Sequence, residues 1–304
     1  MPLRFARAAG VLGLLAAAAC SSHPATKSGS VRRAGVTRGL AHPESARYDS
    51  VADVYYVSNI NGDPSARDDN GFIDVVSADS FEVVLTLVRG GRNGVTLNAP
   101  KGLALAGDTL WVADLDAVRA FDKHDGHLLL SLDLAPLHAV FLNDVAVGPD
   151  GAIYVTDTGT GDSASRGGNA IFRIAGGKAS VAVATPALQA PNGITWDGRL
   201  KHFLLAPGGR EVQVWSPGDS APHAYATGPG TYDGIEALAD GRILVTSWAD
   251  SALHVIEHGV MSTWIRGLSS PADIGVDTRR GIVAVPRLER NSVEYFEIGE
   301  TVKR

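Results

Sequence analysis

Cysteine is nearly absent from this chain. Cys20 is the only one in 304 residues, so no disulfide can form within it. Long apolar runs are missing as well. The uncharged stretch Ala8 to Ala19 has twelve residues, short of the roughly 20 that a bilayer-spanning helix needs. No run of five or more basic residues occurs, and the 33 Asp and Glu outnumber the 27 Lys and Arg. Nucleic acid is therefore not an expected partner. What is abundant is glycine, 35 residues, much of it in turn dipeptides between short apolar runs. That is the composition of a chain with many short strands.

The N-terminus reads as a targeting segment. Arg4 and Arg7 precede Ala8 to Ala19, and Ala-Ala-Ala-Cys20 follows, in the order of a secretory signal peptide. The small residues before Cys20 resemble a bacterial lipoprotein box, with Ala17 where Leu is commoner. Two readings follow. Either Cys20 is lipidated and the protein sits in the bacterial cell envelope, periplasmic or at the outer membrane, touching membrane only through its anchor. Or the protein is secreted and Cys20 is incidental. Ser21 to Ser30 is small, polar and Pro-containing, the composition of a flexible tether. The expected organisation is a signal over 1–20, a tether over 21–32 and one folded unit over 33–304.

A repeat organises that unit. Ala190-Pro191-Asn192-Gly193-Ile194 has counterparts at Pro43-Glu44-Ser45, Pro100-Lys101-Gly102, Leu142-Asn143-Asp144, Tyr232-Asp233-Gly234 and Pro271-Ala272-Asp273. Each opens a short apolar run, then a turn, then a stronger β-branched or aromatic run such as Ile153-Tyr154-Val155-Thr156, the mark of a strand. Third and fourth strands follow. The sixth unit lacks its fourth strand, and Ala34 to Leu40 stands in the same register as Thr263 to Leu268. Successive column residues are 57, 42, 49, 41 and 39 apart, the size of four-stranded propeller blades. The expected fold is all-β, a six-bladed β-propeller whose last blade is closed by an N-terminal strand. A β-sandwich competes, but it does not account for one recurring column.

That column reads Glu44, Lys101, Asn143, Asn192, Asp233, Ala272. Inner strands of a propeller line its channel, so equivalent residues point at one axial spot. Glu44, Asn143, Asn192 and Asp233 bring two carboxylates and two amide carbonyls there. This oxygen set suits calcium, with solvent or substrate filling its remaining positions. No thiolate or imidazole joins the column, which disfavours zinc and copper. A hydrogen-bonded polar plug without metal remains the other reading.

On Pro43-Glu44, Asn143-Asp144, Pro191-Asn192-Gly193, Asp233-Gly234-Ile235 and Asp240-Gly241-Arg242, the chain resembles the regucalcin/gluconolactonase-like six-bladed propellers, relatives of diisopropylfluorophosphatases and paraoxonases. The resemblance implies one catalytic divalent cation, usually calcium, on Glu44, Asn143, Asn192 and Asp233. It implies hydrolysis of lactones or related esters, with Asp233 in the catalytic carboxylate role and Asp144 orienting or joining the site. Three departures stand out. Phe141 occupies the place of an Arg that contacts sugar acids, which favours a more apolar substrate. Val145 follows Asn143-Asp144 where Gly is usual. Lys101 fills the blade-two place. An ammonium ~6 Å from a dication is repelled by about 5 kcal/mol at an effective dielectric of ~20. Lys101 could pair with Glu44, consuming a ligand, or snorkel out of the channel mouth.

Substrate contacts are expected from Lys101, Phe141, His138 and Trp248, with His42 a further candidate for proton transfer. None of the nine histidines has metal-ligand spacing. Arg287 opens another upper loop, and the loops Asn61 to Gly71 and Thr158 to Asn169 are long enough to cover a site. The functional expectation is a monomeric calcium-dependent hydrolase acting on a small lactone or ester. The alternative is a non-catalytic envelope propeller that binds a ligand or partner protein.

Overall fold

The computed structural model describes residues 31–159 and 168–299. The expected signal peptide, Cys20, residues 21–30 of the tether and the tip of the loop after Thr158 lie outside them.

Strand β1 (Arg33–Arg38) comes first, followed by four-stranded blades in chain order. Blade one is β2 (Pro43–Asp49), β3 (Val54–Asn59), β4 (Phe72–Ser77) and β5 (Val83–Arg89). Blade two is β6 (Pro100–Ala106), β7 (Thr109–Asp114), β8 (Ala117–Asp122) and β9 (Leu128–Asp133). Blade three is β10 (Leu142–Val147), β11 (Ile153–Asp157), β12 (Ala170–Ala175) and β13 (Lys178–Ala184). Blade four is β14 (Pro191–Asp197), β15 (His202–Pro207), β16 (Glu211–Trp215) and β17 (His223–Thr227). Blade five is β18 (Tyr232–Ala237), β19 (Ile243–Ser247), β20 (Ala252–Glu257) and β21 (Val260–Arg266). Blade six is β22 (Gly275–Asp277), β23 (Ile282–Arg287) and β24 (Ser292–Glu297), with β1 antiparallel to β24 as its outer strand. The six-bladed propeller and its N-terminal closure are as the repeat implies. The inner strand of blade six is shorter than expected: Pro271 and Asp273 make only isolated bridges, to Arg287 and Ser45.

Local chemistry repeats with the blades. Asp49, Asp197 and Asp277 end inner strands, and each accepts the N–H groups of the following turn, as in Val51 to Asp49 at 2.8 Å and Arg279 to Asp277 at 2.8 Å. Asp side chains stabilise turns in this way. Between neighbouring blades lies a cluster of buried side chains, one at each of the six interfaces. Blades three and four meet through Tyr154, Phe203 and Trp215, with Phe203 4.5 Å from Tyr154 and 5.8 Å from Trp215 between ring centres.

The closing strand is locked from three sides. Thr37 Oγ1 donates to Phe81 O at 2.7 Å and lies 3.0 Å from the Tyr295 hydroxyl. Phe81 stacks on Tyr295 at 4.3 Å and lies across Gly35, where a Cβ would stand 2.1 Å from the Phe81 ring. Gly35→Val should therefore displace Phe81 and destabilise the ring closure by about 1–3 kcal/mol. The measurement is the thermal midpoint against wild type. An unchanged midpoint would show that Gly35 is not packed under Phe81.

Candidate metal centre in the channel

In five of the six blades the inner strand spends one residue more than the strand beside it. In blade one Pro43 pairs with Asn59 and Ala46 with Val57, so Glu44 and Ser45 together face Ser58. The same shift falls between Pro100 and Leu103, Leu142 and Val145, Pro191 and Ile194, and Tyr232 and Ile235. Such a bulge bends the strand and re-aims a side chain. Glu44, Lys101, Asn143, Asn192 and Asp233 each open one of these bulges.

Hydroxyls from the second strands hold the bulges. Ser45 N donates to Ser58 Oγ at 2.9 Å, Asp144 N to Thr156 Oγ1 at 2.9 Å and Gly234 N to Thr246 Oγ1 at 2.8 Å. Thr156 then donates to Asn192 O of the next blade at 2.6 Å, and Thr246 to Ala272 O at 3.1 Å. Neighbouring inner strands come so close that a Cβ at Gly102 would lie 2.2 Å from Asp144 Oδ1, and one at Gly193 2.3 Å from Asp233 O. Glycine is required at both places.

Glu44 Oε2, Asn143 Oδ1, Asn192 Oδ1 and Asp233 Oδ1 are buried, and none accepts a hydrogen bond among the described residues. On Asn143, Asn192 and Asp233 the neighbouring polar atom is occupied, which fixes the orientation. Asn143 Nδ2 donates to Thr158 Oγ1 at 2.9 Å, and Thr158 Oγ1 donates on to Pro191 O at 2.7 Å. The Asn192 side chain hydrogen-bonds the Asp233 carboxylate. Trp248 Nε1 donates to Asp233 Oδ2 at 2.9 Å. A buried oxygen left unsatisfied costs about 1–3 kcal/mol. Four of them, in register on four blades and all oxygen, fit a hard divalent cation.

The charges agree. No ion pair reaches Glu44, Asp144 or Asp233 among the described residues. Burial, then the neighbouring Asp233, Asp273 and Asp144, pushes the Glu44 carboxyl well above its usual range. Burial and Asp273 raise Asp233 to about 8, against hydrogen bonds from Trp248 and Asn192. Burial also lifts Asp144, whose oxygens accept Val145 N at 2.6 Å and Ile194 N at 2.8 Å. Beneath this ring the Arg47 guanidinium bridges Glu236 and Asp273 and donates to Leu103 O at 2.8 Å. Asp273 also accepts from Ser45 Oγ at 2.6 Å.

Lys101 behaves in neither of the ways the sequence suggested. It is 2 % exposed, so it does not snorkel out. Nor does it pair with Glu44: its Nζ donates to Ala99 O at 3.2 Å and sits 4.2 Å from the centre of the Phe141 ring. The aromatic face attracts the ammonium and draws it from the acidic ring. Burial lowers its pKa to about 8, against the pull of Glu44 and Asp114.

Other expected contacts fall into place unevenly. Phe141 is half-buried, with its N–H held by Asp157 Oδ1 at 2.8 Å. Trp248 reaches Asp233 directly. His138 is exposed beyond the turn Ala135–Leu137, in a left-handed conformation. His42 lies 3.0 Å from Gly62 O through Nδ1. Arg287 is buried as a clip, binding Ser269 O at 2.9 Å and Glu294 at 3.0 Å, and does not line the mouth. One histidine does join a group of potential ligands: Asp122, Asp125 and His127 gather within 4.8 Å at the turn between β8 and β9. That group is largely exposed and bonded internally, with Asp125 accepting the His127 N–H at 3.0 Å.

Sequence reading missed the supporting layer. Thr156 and Thr158 were hidden in a strand end, and so was a recurring staple. Asn59, Asp114 and Asp157 close second strands and accept N–H groups from the loop before the same blade's inner strand. Their signal was a polar residue ending an apolar run.

Solved structures share this architecture. A streptogramin B lyase superposes with a TM-score of 0.62 at 14% identity, covering 88% of this chain and 97% of its own. A virginiamycin B lyase from Staphylococcus aureus gives 0.57 at 12%, covering 84% and 95%. A gluconolactonase from Xanthomonas campestris gives 0.61 at 16%, covering 86% and 87%. At such identities these are similarities of fold. No curated protein sequence matches the chain. Residues 72–266, well over half of the chain, match the SMP-30/Gluconolactonase/LRE-like region, and the protein belongs to that family.

Proposed function

We propose that the protein is a calcium-dependent hydrolase of lactones or related esters, with Glu44, Asn143, Asn192 and Asp233 holding the cation. The observation that carries this reading is the set of four buried, unpartnered oxygens in a family of lactonase-type propellers. The bound cation would polarise the substrate carbonyl as a Lewis acid.

The chain's own groups have separable tasks. Asp233 turns one oxygen to the ring and keeps the other on Trp248 Nε1. A cation on the ring would hold Asp233 ionised, and its Trp248-bound carboxylate is then placed to take a proton from attacking water. Asp144 gives both oxygens to backbone N–H groups, so its task is positioning: it fixes the bulge of Asn143 and the strand of Asn192. The Arg47, Glu236 and Asp273 layer closes the channel beneath, so substrate arrives from the face of Phe141 and Trp248.

A lyase reading differs in its product. Hydrolysis adds the elements of water to a lactone and elimination does not, so product mass separates the two. A binding propeller without turnover is the remaining alternative, favoured by the buried cation Lys101.

Three outcomes are expected. First, the full chain should bind calcium in calorimetry, with Glu44→Gln and Asn192→Ala each weakening it about tenfold or more. Asp233→Asn should abolish calcium-dependent turnover of a panel of lactones and aryl esters. Equal, weak calcium binding by wild type and variants contradicts the reading. Second, the raised carboxyls give pH dependence a definite sign. Below an ordinary aspartate pKa of 3.8 both states are protonated. As pH rises toward about 8 the unfolded chain has released protons that Asp233 still holds, so stability falls across this window. Chelator-treated protein should therefore melt lower at pH 8.5 than at pH 5.5, and calcium should shrink the difference while releasing protons on binding. A rise in melting temperature with pH would contradict it. Third, we place the protein in the bacterial envelope through lipid on Cys20. Cys20→Ala should move it from the membrane fraction to the soluble fraction, and unchanged partition would count against the anchor.

A further inference from the structure

Among the described residues, the buried cations fall into two kinds. Arg119 is held by Asp114 at 2.9 Å, Lys123 by Asp49 at 2.9 Å and Arg287 by Glu294 at 3.0 Å. Arg47, half-buried beneath the ring, is held by Glu236 and Asp273. Lys101 is as buried as any of them, yet it has no ion pair. An ammonium carries three donors. One goes to Ala99 O. The Phe141 ring attracts the charge but accepts no conventional hydrogen bond. At least one N–H is therefore left without a protein acceptor at a buried position, a costly arrangement for a charge.

The position of this unpaired charge is specific. Lys101 opens the bulge of blade two, between Glu44 of blade one and Asn143 of blade three. It thus belongs to the same ring as the oxygen ligands. Phe141, from the loop before β10, seats the ammonium instead of leaving it to collapse onto Glu44. Whatever satisfies Lys101 must bring negative oxygen, and must lie beside whatever the oxygen ring holds.

We propose that Lys101 is a specificity residue for an anionic substrate, one carrying a carboxylate on the carbon bonded to the alcohol-side oxygen of its scissile ester linkage. The carboxylate pairs with the Lys101 ammonium while the carbonyl lies over the oxygen ring. Phe141 is then the seat of the ammonium and not an apolar wall for substrate, which reverses the expectation of an apolar ligand. This rests on the hydrolase reading for the scissile carbonyl, but the charge selection can be measured without turnover.

The test uses the full chain with calcium and a non-hydrolysable probe, tetrahydrofuran-2-carboxylate, against its neutral methylamide. Binding is read by calorimetry and by fluorescence of Trp248, which touches Asp233. Wild type should prefer the carboxylate by about tenfold or more. Lys101→Met should erase that preference and Lys101→Arg should keep part of it, with melting curves showing that each variant is folded. In parallel, the ratio of kcat/KM for 5-oxotetrahydrofuran-2-carboxylate over γ-butyrolactone should fall by about tenfold in Lys101→Met. A carboxylate preference that survives in Lys101→Met overturns the proposal. Lys101-dependent binding without any turnover supports it and removes the hydrolase reading alone. Turnover whose carboxylate preference ignores Lys101 leaves the hydrolase reading and removes this one.

Discussion

One extra residue in each of five inner strands sets the chemistry of this propeller. At one point in each of five blades, two residues of the first strand stand opposite one of the second. The surplus cannot join the ladder, so its side chain is turned out of the blade. Because the blades share an axis, five such surpluses become a ring. The hydroxyls of Ser58, Thr156 and Thr246 then take the N–H groups that the bulges free. Thr156 and Thr246 also pass a hydrogen bond to the following blade. The backbone of the ring is fixed by these blade-to-blade contacts.

With the backbone held in this way, buried oxygens can be left unpaired. Glu44, Asn143, Asn192 and Asp233 do not pair off among themselves to satisfy all their atoms; Thr158 and Trp248 orient Asn143 and Asp233, and one oxygen of each of the four groups is left over. The channel holds five acidic groups, Glu44, Asp144, Asp233, Glu236 and Asp273, against Arg47 and Lys101. Arg47 serves the lower pair and Lys101 is drawn off to Phe141. Burial therefore favours protons on the upper carboxyls, and a cation bound under the proposed function would compete with those protons.

Much of this was legible in the sequence, for a definite reason. A repeat read as one aligned column gives blade count, closure by the N-terminal strand and the four residues whose buried oxygens are left unpartnered, because equivalent positions in a closed ring must be equivalent in space. What escaped was whatever depends on a neighbour from another blade. The place of Lys101 depends on the Phe141 ring across an interface. The role of Thr156 depends on the Asn192 carbonyl one blade on. Arg287 looked like a rim residue because it ends a strand, yet its guanidinium folds onto the loop of Ser269. Ala272 sits at the column of a blade whose inner strand is reduced to Gly275–Asp277, a shortening that no local propensity announces.

The most direct measurement is the density at the channel centre in crystals grown with calcium. The account predicts a single cation at about 2.3–2.6 Å from Glu44 Oε2, Asn143 Oδ1, Asn192 Oδ1 and Asp233 Oδ1, with Lys101 still seated on Phe141. A Lys101 ammonium occupying that point, or oxygens too dispersed for one ion to touch, would contradict it.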